Sequence, residues 1–516
     1  MTTTSGPAPA TWKGESARLA SWWPFLALVL AALVVRAPFY GNPDVYLDEQ
    51  YYLLVGDRMW HGALPYVDLW DRKPIGLFLI YAAIRLLGGD GVIQYQIVAS
   101  LCAGGTAGLI WLMSRRITGN FAATFAGLIY IFWLTIFSGG AGQSPVLYNL
   151  ITAITALLAF QANDSDDAGA IMRRGRVAML LWGCILQIKY TAAPEGMFFG
   201  LWFLWSLWRR GCGITGLLAA GAQFALLGLA PTLAVAAFYA AIGQFDAFFY
   251  ANFLSIFTRG ELGAEMNARV VTFFSYATPP FVLVVLFGFI RRAQADLRFA
   301  RTDTIMLAGW SAAALLGFAM VGNFYDHYFI PCLLPGFLVA APLFQRTLVG
   351  TGIGLFLIFE SVLASHFPDI ALHRRKRIAI ERLTEAIRPY VAGGRCLYIY
   401  DGPSILYHLT GACIPTRYAY PDHLSNRVER HSVGVDTQAE VRRVLATRPG
   451  AIVTADLGVL PGMDPLTAHP VSQVLDRDYV CVAAVPTVGR TFQVHALRAL
   501  VKPGTRTIAC PSTYLK

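Results

Sequence analysis

Charged side chains are scarce in this chain. Asp, Glu, Lys and Arg make up 14% of the 516 residues, whereas apolar types make up 56%. A soluble protein of this size has about a quarter charged residues. Apolar windows of about 18 residues or more, which are long enough to cross a bilayer as a helix, recur along the first 365 positions. The composition therefore excludes a soluble globular protein and predicts an α-helical polytopic membrane protein.

Several familiar signatures are also missing. The chain has no G-x-x-x-x-G-K-[ST] phosphate loop, no G-x-G-x-x-G after a predicted strand, and no His or Cys spacing typical of a metal site. It has no internal repeat. The net charge of +10 is explained by Lys and Arg beside membrane helices, where basic residues set helix orientation. We therefore expect membrane lipids as partners and no nucleic acid.

The apolar windows predict eleven spanning helices. They lie at 21–39, 92–113, 121–137, 146–160, 177–190, 193–208, 216–241, 273–290, 304–321, 328–344 and 348–365. Basic clusters such as Arg291-Arg292 all fall on one side of this arrangement, whereas the short loops 138–146 and 322–327 contain no Lys or Arg. The positive-inside rule then places the amino terminus in the cytoplasm and these bare loops outside.

This topology divides the chain into three parts. We expect a cytoplasmic tail over 1–20, a membrane domain over 21–365, and a soluble domain on the outer side over 366–516. In the last part, "GRCLYIYDGPSILYHLTG" and "PGAIVTAD" are short β-rich runs, and "QAEVRRVLATRPG" has a helical pattern, which together predict an α/β domain. Disulfides are permitted there, but the spacing leaves their pairing open among Cys396, Cys413, Cys481 and Cys510.

One apolar segment does not fit the pattern of spans. Counting 73–89 as a full span would invert every later loop and break the charge rule. We therefore expect this segment to be a helix at the outer surface. The first outer loop then extends over 41–91 and is predicted to contain short amphipathic helices such as 49–61.

Two adjacent carboxylates, Asp48 and Glu49, follow the first predicted span. The same loop continues with "DLWDRKPIG" (68–76), which adds Asp71, Arg72 and Lys73. One loop therefore holds a carboxylate pair and a cation cluster beside the membrane. A simpler reading of Asp48 is a helix start, because Asp is a favoured N-cap and acidic groups suit the positive end of the helix dipole.

These motifs resemble those of the protein O-mannosyltransferase family, glycosyltransferase family 39, and its bacterial relatives such as the lipid A aminoarabinose transferases. The likeness covers the membrane half: "LQIKYTAA" (186–193) resembles the family's Lys at a helix end, and "NFYDHYFIPCLLP" (323–335) resembles its H-Y-x-x-P-x-x-P segment. The resemblance implies the GT-C class of membrane glycosyltransferases. It also implies transfer of a sugar from a polyprenyl-phosphate donor to a glycolipid such as lipid A or its core, another glycan or a protein, on the periplasmic side of a bacterial inner membrane.

The chemistry of such a donor explains the residue types. A phosphate leaving group needs cations to hold its growing charge, and the acceptor hydroxyl needs a general base. By resemblance, Asp48 is that base in a single inverting displacement, and Glu49 orients it or binds the acceptor. The candidate donor-phosphate ligands are Lys73, Lys189, Arg72 and Arg259. The candidate substrate-binding residues are Asp71, Tyr51, Tyr190, His327 and Tyr328.

Several alternatives remain open at this point. Lys73 also fits a lysine that extends to the interface, Lys189 also fits a pair with Glu195, and Arg36 also fits a pair with Asp48 or a neighbouring acid. The aromatic segment 415–424 is read first as core and second as a sugar-binding surface. No cofactor is required by the sequence, and a divalent metal is left open. A transporter or flippase of lipid-linked sugars is the rival function, although transporters commonly place ionisable groups near the bilayer midplane and contain repeats.

Overall fold

The computed structural model describes residues 22–260, 264–293, 298–320, 322, 324–457 and 462–510. The predicted cytoplasmic tail, 1–20, lies outside these residues. The amino-terminal part of the described chain is helical. Its helices are α1 (Trp23–Arg36), α2 (Leu47–Met59), α3 (Ile75–Arg85), α4 (Val92–Ser114), α5 (Asn120–Trp133), α6 (Ser144–Asn163), α7 (Ala168–Leu186), α8 (Ala193–Arg209), α9 (Ile214–Ala241), α10 (Phe245–Phe249), α11 (Ala264–Ala277), α12 (Pro279–Ala293), α13 (Arg298–Ala319), α14 (Ile330–Ala340) and α15 (Leu348–Ala364).

These helices make the chain a multi-pass membrane protein. Within the described ranges, five segments are long and apolar enough to cross a bilayer: Val92–Ser114, Ser144–Asn163, Ile214–Ala241, Arg301–Ala319 and Asp326–Leu343. A sixth results if α11 and α12 count as one span, bent by 49° where Pro279 and Pro280 interrupt the helix. Each of the eleven predicted spans overlaps a helix, but some of these helices are shorter, so the number of spans stays a prediction.

Small residues allow α1 and α4 to pack closely. A Cβ atom at Gly104 of α4 would lie 2.7 Å from the Val29 Cα of α1, and one at Gly108 would overlap the Phe25 ring. Close contact of helix backbones through glycine is a common way to pack helices in a bilayer, where apolar burial alone gives little driving force. This packing fixes the end of α1, from which the chain enters the 41–91 loop.

The helix predicted at 49–61 is present as α2, but its surroundings differ from the prediction. Residues 49–56 of α2 are all buried, so α2 is not a surface helix with one wet face. It packs against α3, where a Cβ atom at Gly56 would lie 2.7 Å from the Ala82 backbone nitrogen. Its polar Gln50 donates a hydrogen bond to Asp44 at 2.8 Å, which explains how a polar side chain is accommodated there. The apolar segment predicted at 73–89 forms α3, and its position at the membrane surface stays a prediction.

The carboxy-terminal part contains the sheet. Its helices are α16 (Ile370–Val391), α17 (Ile405–Thr410), α18 (Asp422–Ser425), α19 (Thr437–Ala446) and α20 (Pro465–Asp478). The strands β1 (Leu397–Ile399), β2 (Ala451–Ala455), β3 (Tyr479–Pro486) and β4 (Thr491–Leu497) form a sheet of order β1-β2-β4-β3. β1 and β2 are parallel, with Tyr398 beside Ile452, and the other pairs are antiparallel. The predicted β-rich run around 404–410 is instead helix α17.

Two disulfides accompany this sheet, between Cys396 and Cys413 and between Cys481 and Cys510. The sheet and helices are those of a small α/β unit, as the pattern predicts. The domain boundaries and their sides of the membrane stay predictions.

Candidate functional site

The carboxylate of Asp48 lies at the amino-terminal end of α2. Asp48 lies in the first turn of α2, so the reading of this residue as part of a helix start is confirmed, whereas the N-cap position itself is held by Tyr46. The first turn still favours a negative charge because the helix dipole is positive there. The Asp48 side chain is 21% exposed. Its carboxylate is therefore partly accessible to solvent and does not cap the backbone N–H groups of the helix.

Three elements that are distant in sequence surround this carboxylate. Lys73 Nζ lies 3.8 Å from Asp48 Oδ2, and His327 Nε2 lies 4.0 Å from the same oxygen. The Tyr420 hydroxyl donates a hydrogen bond to Asp48 Oδ1 at 3.3 Å. Burial raises the pKa of Asp48, but the charges of Lys73, His327 and Lys189 outweigh it and hold that pKa well below its usual range. Asp48 is therefore ionised at neutral pH.

We call Asp48, Lys73, Lys189 and His327 the Asp48 cluster. Burial lowers the pKa of Lys73, but the adjacent Asp48 and Asp71 carboxylates raise it above its usual value. Lys189 is 5% exposed. Among the described residues, its Nζ has no hydrogen-bond partner and lies 3.7 Å from the centre of the Tyr328 ring.

The alternative pairing of Lys189 with Glu195 is wrong. The Trp310 indole donates to Glu195 Oε1 at 2.7 Å, and no ion pair joins Glu195 to Lys189 in the described structure. A buried ammonium without a hydrogen-bonded partner costs free energy unless an anion satisfies it. Lys189 therefore has the properties of a ligand for an anion.

Glu49 points away from Asp48. Consecutive residues of an α-helix project about 100° apart, which follows from 3.6 residues per turn. Glu49 is fully buried, and its carboxylate lies beside Arg36, the Gly142 backbone and the Tyr95 side chain. Burial raises the pKa of Glu49 well above its usual value, although nearby Arg36 lowers it. The expected direct contact of Glu49 with an acceptor is not supported, because its oxygens face the helix bundle.

Arg36 does not pair with Asp48. It is fully buried, and it donates to Ser100 Oγ at 3.0 Å and to the carbonyls of Gly139 and Ala141. These bonds connect α1 with α4 and the turn before α6. Arg36 is therefore a structural cation that lies beside Glu49 and outside the Asp48 cluster.

The candidate substrate-binding residues divide into two groups. Asp71 is 8% exposed, and burial raises its pKa although Lys73 lowers it. Tyr328 lies under Lys189, and His327 Nδ1 is 3.4 Å from Asp326 Oδ1, so these side chains lie at the cluster. Tyr51 is different, because it is fully buried and its hydroxyl donates to the Trp70 carbonyl at 2.9 Å. The expected contact of Tyr51 with a substrate is therefore not supported.

Tyr190 lies at the edge of the same region. Its hydroxyl donates to Asn252 Oδ1 at 3.0 Å, and the Tyr66 hydroxyl approaches the same oxygen at 3.4 Å. Tyr190 is partly exposed, so its ring is accessible, but the hydroxyl is already bonded.

The two candidate arginines share a partner that the sequence does not indicate. Arg72 forms an ion pair with Glu429 Oε2, and Arg259 Nε lies 2.8 Å from Glu429 Oε1. Arg259 also donates to the Tyr325 hydroxyl at 3.1 Å. Burial raises the pKa of Glu429, but these two arginines lower it to about 2, so the carboxylate stays charged.

Tyr420 and Glu429 are the two residues at this site that sequence reasoning missed. Tyr420 belongs to the aromatic segment 415–424, and a sugar-binding surface was the second reading of that segment. Other residues of the segment belong to the core, as the first reading expects. The Tyr418 hydroxyl donates to the Val433 carbonyl, and His423 is buried against Trp70, with 4.7 Å between ring centres. No local signal marks Glu429, because the two arginines that it pairs with are more than 150 residues away in sequence.

The overall fold of the chain is similar to that of a solved structure. The crystal structure of ArnT from Cupriavidus metallidurans bound to undecaprenyl phosphate matches with a TM-score of 0.59 and 14% sequence identity, covering 94% of this chain and 100% of that one. This chain has a GT-C glycosyltransferase-like fold. The archaeal oligosaccharyltransferase AglB from Archaeoglobus fulgidus, in complex with an inhibitory peptide and a dolichol-phosphate, gives a TM-score of 0.49 and 10% identity over 94% of this chain and 75% of its own. No family model matches the sequence, and no curated protein is significantly similar to it.

The part of the chain that the structure describes contains no candidate metal centre. No group of three or more His, Cys, Asp or Glu side chains is placed there to hold a metal ion. Around Asp48 the neighbouring charged groups are mainly nitrogen cations, Lys73 and Lys189. These nitrogen groups attract an anionic ligand and would repel a metal cation.

Proposed function

We propose that this protein is an inverting glycosyltransferase that moves a sugar from a polyprenyl-phosphate donor to an envelope acceptor. The acceptor is lipid A or its core, another glycan or a protein. The observation that carries the proposal is the ionised Asp48 carboxylate between Lys73 and His327, together with the buried Lys189 amino group, which contacts the Tyr328 ring and has no hydrogen-bond partner among the described residues. The fold similarity supports the donor class, since the matching ArnT structure is bound to undecaprenyl phosphate.

In this reaction the acceptor hydroxyl oxygen attacks the anomeric carbon of the sugar. Asp48 takes the hydroxyl proton as the new C–O bond forms, and the bond from the anomeric carbon to the phosphate oxygen breaks. The electron pair of that bond leaves with the phosphate, whose growing negative charge Lys73 and Lys189 hold. A single displacement of this kind inverts the configuration at the anomeric carbon.

The low pKa of Asp48 has a specific meaning for this mechanism. The cations that lower it are the ones that the donor phosphate would neutralise on binding. Donor binding would therefore raise the pKa of Asp48 and make it a stronger base when the acceptor arrives. The site would keep the carboxylate ionised at rest and strengthen it as a base only with the donor in place.

We further propose the location of this chemistry. The positive-inside rule puts the 41–91 loop and residues 366–516 on the periplasmic side of a bacterial inner membrane. Nucleotide sugars are confined to the cytoplasm, so a lipid phosphate is the activated sugar source on that side. Asp48, Lys73 and Tyr420 would all lie there.

The proposal is tested by following the sugar. Purified full-length protein in liposomes is given polyprenyl-phosphate sugars that carry a radiolabel on the sugar, with lipid A, core oligosaccharide or a peptide as acceptor. We expect the label to move from the lipid to an acceptor, with polyprenyl phosphate as the second product and the opposite anomeric configuration by NMR. If the intact labelled lipid only changes leaflets, the protein is a flippase, and the proposal is wrong.

A further inference from the structure

The carboxylate of Glu429 is the junction of three segments. It is 3% exposed and lies in the 420–432 segment of the carboxy-terminal part. One oxygen accepts from Arg72 of the 41–91 loop, and the other lies 2.8 Å from Nε of Arg259. Ser432 Oγ donates to Glu429 Oε2 at 2.6 Å and accepts from Arg72 Nη2 at 2.5 Å. The backbone adds a further link, since Gly260 N donates to the Val428 carbonyl at 2.9 Å.

This junction is connected to the Asp48 cluster in two ways. Arg72 precedes Lys73 directly in the chain, and Lys73 is 3.8 Å from Asp48. Arg259 donates to the Tyr325 hydroxyl, and the Tyr325 ring is stacked on His327 with 6.0 Å between ring centres. The orientation of both arginines is therefore coupled to the surroundings of the candidate base.

The junction brings two guanidinium groups to one carboxylate. Both arginine side chains remain 16% exposed although Glu429 between them is buried. Among the described residues, Arg72 Nε is buried and has no hydrogen-bond partner. Arg430 and Asp464, in the same segment, show the other arrangement: one arginine meets one carboxylate through two hydrogen bonds of 2.8 and 2.5 Å. A one-to-one pair of that kind is enough to attach the segment. A carboxylate shared by two arginines also holds the two guanidinium groups close together.

We propose that Glu429 is a positioning residue that holds Arg72 and Arg259 together as ligands for the donor phosphate. Without an anion between them, the two guanidinium groups repel each other. With Glu429 in place, both guanidinium groups are held in fixed orientations, and the N–H groups that Glu429 does not bind can receive phosphate oxygens. This inference rests on the proposed function and assigns the carboxy-terminal part a role in completing the donor site.

The test measures binding of undecaprenyl phosphate to the purified full-length protein, with undecaprenol as the uncharged control lipid. We expect Glu429→Gln to weaken undecaprenyl phosphate binding by about tenfold and to leave undecaprenol binding unchanged, because glutamine has no negative charge and keeps only one of the two acceptor oxygens that the arginines contact. Arg72→Ala should weaken binding by a similar factor. The double variant should bind no more weakly than the weaker single variant, since Arg72 acts only while Glu429 holds it.

A matched control is Glu440→Gln, which alters another glutamate–arginine pair of the carboxy-terminal part, with Arg443. Its affinity should equal that of the wild type. If Glu429→Gln does not fold, Ser432→Ala removes one hydrogen bond from the junction and is expected to weaken binding by about threefold. Wild-type affinity in the folded Glu429 or Ser432 variant, or single effects that multiply in the double variant, would overturn the inference. If the wild type binds undecaprenyl phosphate no better than undecaprenol, the proposed function itself fails.

Discussion

Two groups of charged side chains in the membrane half of the protein differ in how directly their cations and carboxylates are hydrogen-bonded. At the first, Arg116 meets Asp164 through hydrogen bonds of 2.6 and 2.7 Å and Asp303 through one of 2.9 Å. Asn163 donates to Asp303 at 2.9 Å as well. At the second, the Asp48 cluster, cation and carboxylate atoms stay 3.8 to 4.0 Å apart.

The difference is the one that we expect between charges that stabilise the fold and charges that bind a ligand. Direct, two-pronged hydrogen bonds satisfy Arg116 and connect helices that are far apart in sequence, which is what a structural ion pair needs. In the Asp48 cluster, Lys189 has no hydrogen-bonded partner within the described part of the chain, and Asp48 is partly exposed. A group of charges that is incompletely satisfied is costly to fold and useful only if a ligand completes it.

The largest expected effect concerns Asp48 and its neighbour. Asp48→Asn should reduce the rate of sugar transfer by about 10²–10⁴, the usual contribution of a general base, with unchanged thermal stability. Glu49→Gln is the matched control, because Glu49 is adjacent but faces the helix bundle, and its rate should remain within about tenfold of the wild type. Equal losses in the two variants would show that the carboxylates act as a pair and would contradict the separation seen here.

The structural cluster gives the opposite expectation. Arg116→Met leaves Asp303 buried without its cation, and this should lower the free energy of unfolding by about 3 kcal/mol or more. Transfer activity per folded molecule should not change. Thermal unfolding in detergent and an activity assay normalised to folded protein check both statements. A fully stable Arg116→Met protein would remove the distinction between the two clusters.

Lys189 should respond in a way that no structural ion pair does. Lys189→Met removes a buried ammonium without a hydrogen-bonded partner, so the melting temperature should stay the same or rise. Binding of undecaprenyl phosphate should fall by about tenfold or more because a cation ligand is lost. Affinity falls without a loss of melting temperature only if the lysine binds a ligand. A lower melting temperature with unchanged binding would place Lys189 with the structural charges.

The smallest effect is a shift in pH dependence. Lys73 contributes to holding the pKa of Asp48 in the free enzyme below its usual range, so the wild-type kcat/KM should stay constant as the pH falls to about 4, the usual pKa of an aspartate. In Lys73→Met the pKa of Asp48 rises, and the acidic limb of the kcat/KM profile should move to higher pH by about one unit. The maximum value of kcat/KM will also fall because the donor binds more weakly. The quantity to compare is therefore the pH at the midpoint of the acidic limb. An unmoved limb would mean that Lys73 does not act on the base.

Much of this arrangement is predictable from local sequence. The apolar windows coincide with helices because burial in lipid or in a helix bundle requires continuous apolar stretches. Asp48 and Lys73 belong to one loop, and the motif resemblance adds Lys189 and His327. The strand pattern around 451–455 predicts β2, because apolar β-branched residues there are bounded by Gly and Asp.

The remainder depends on contacts that local patterns do not encode. Glu429 is 357 residues from Arg72 in the chain, and it lies in a polar stretch that reads as ordinary surface. The burial of α2 depends on its cover by α3 and by the carboxy-terminal part, so its polar residues gave a misleading indication of exposure. Which of two adjacent carboxylates faces the site is decided by the helix phase, and a shift of one residue in the predicted start changes the answer.

The most direct test of the central claim is a structure of the full-length protein in lipid nanodiscs with undecaprenyl phosphate. We expect the phosphate within salt-bridge distance of Lys73 and Lys189, with the Asp48 carboxylate facing the position of the anomeric carbon. A phosphate bound elsewhere, with Lys189 still without an anionic partner, would contradict the account.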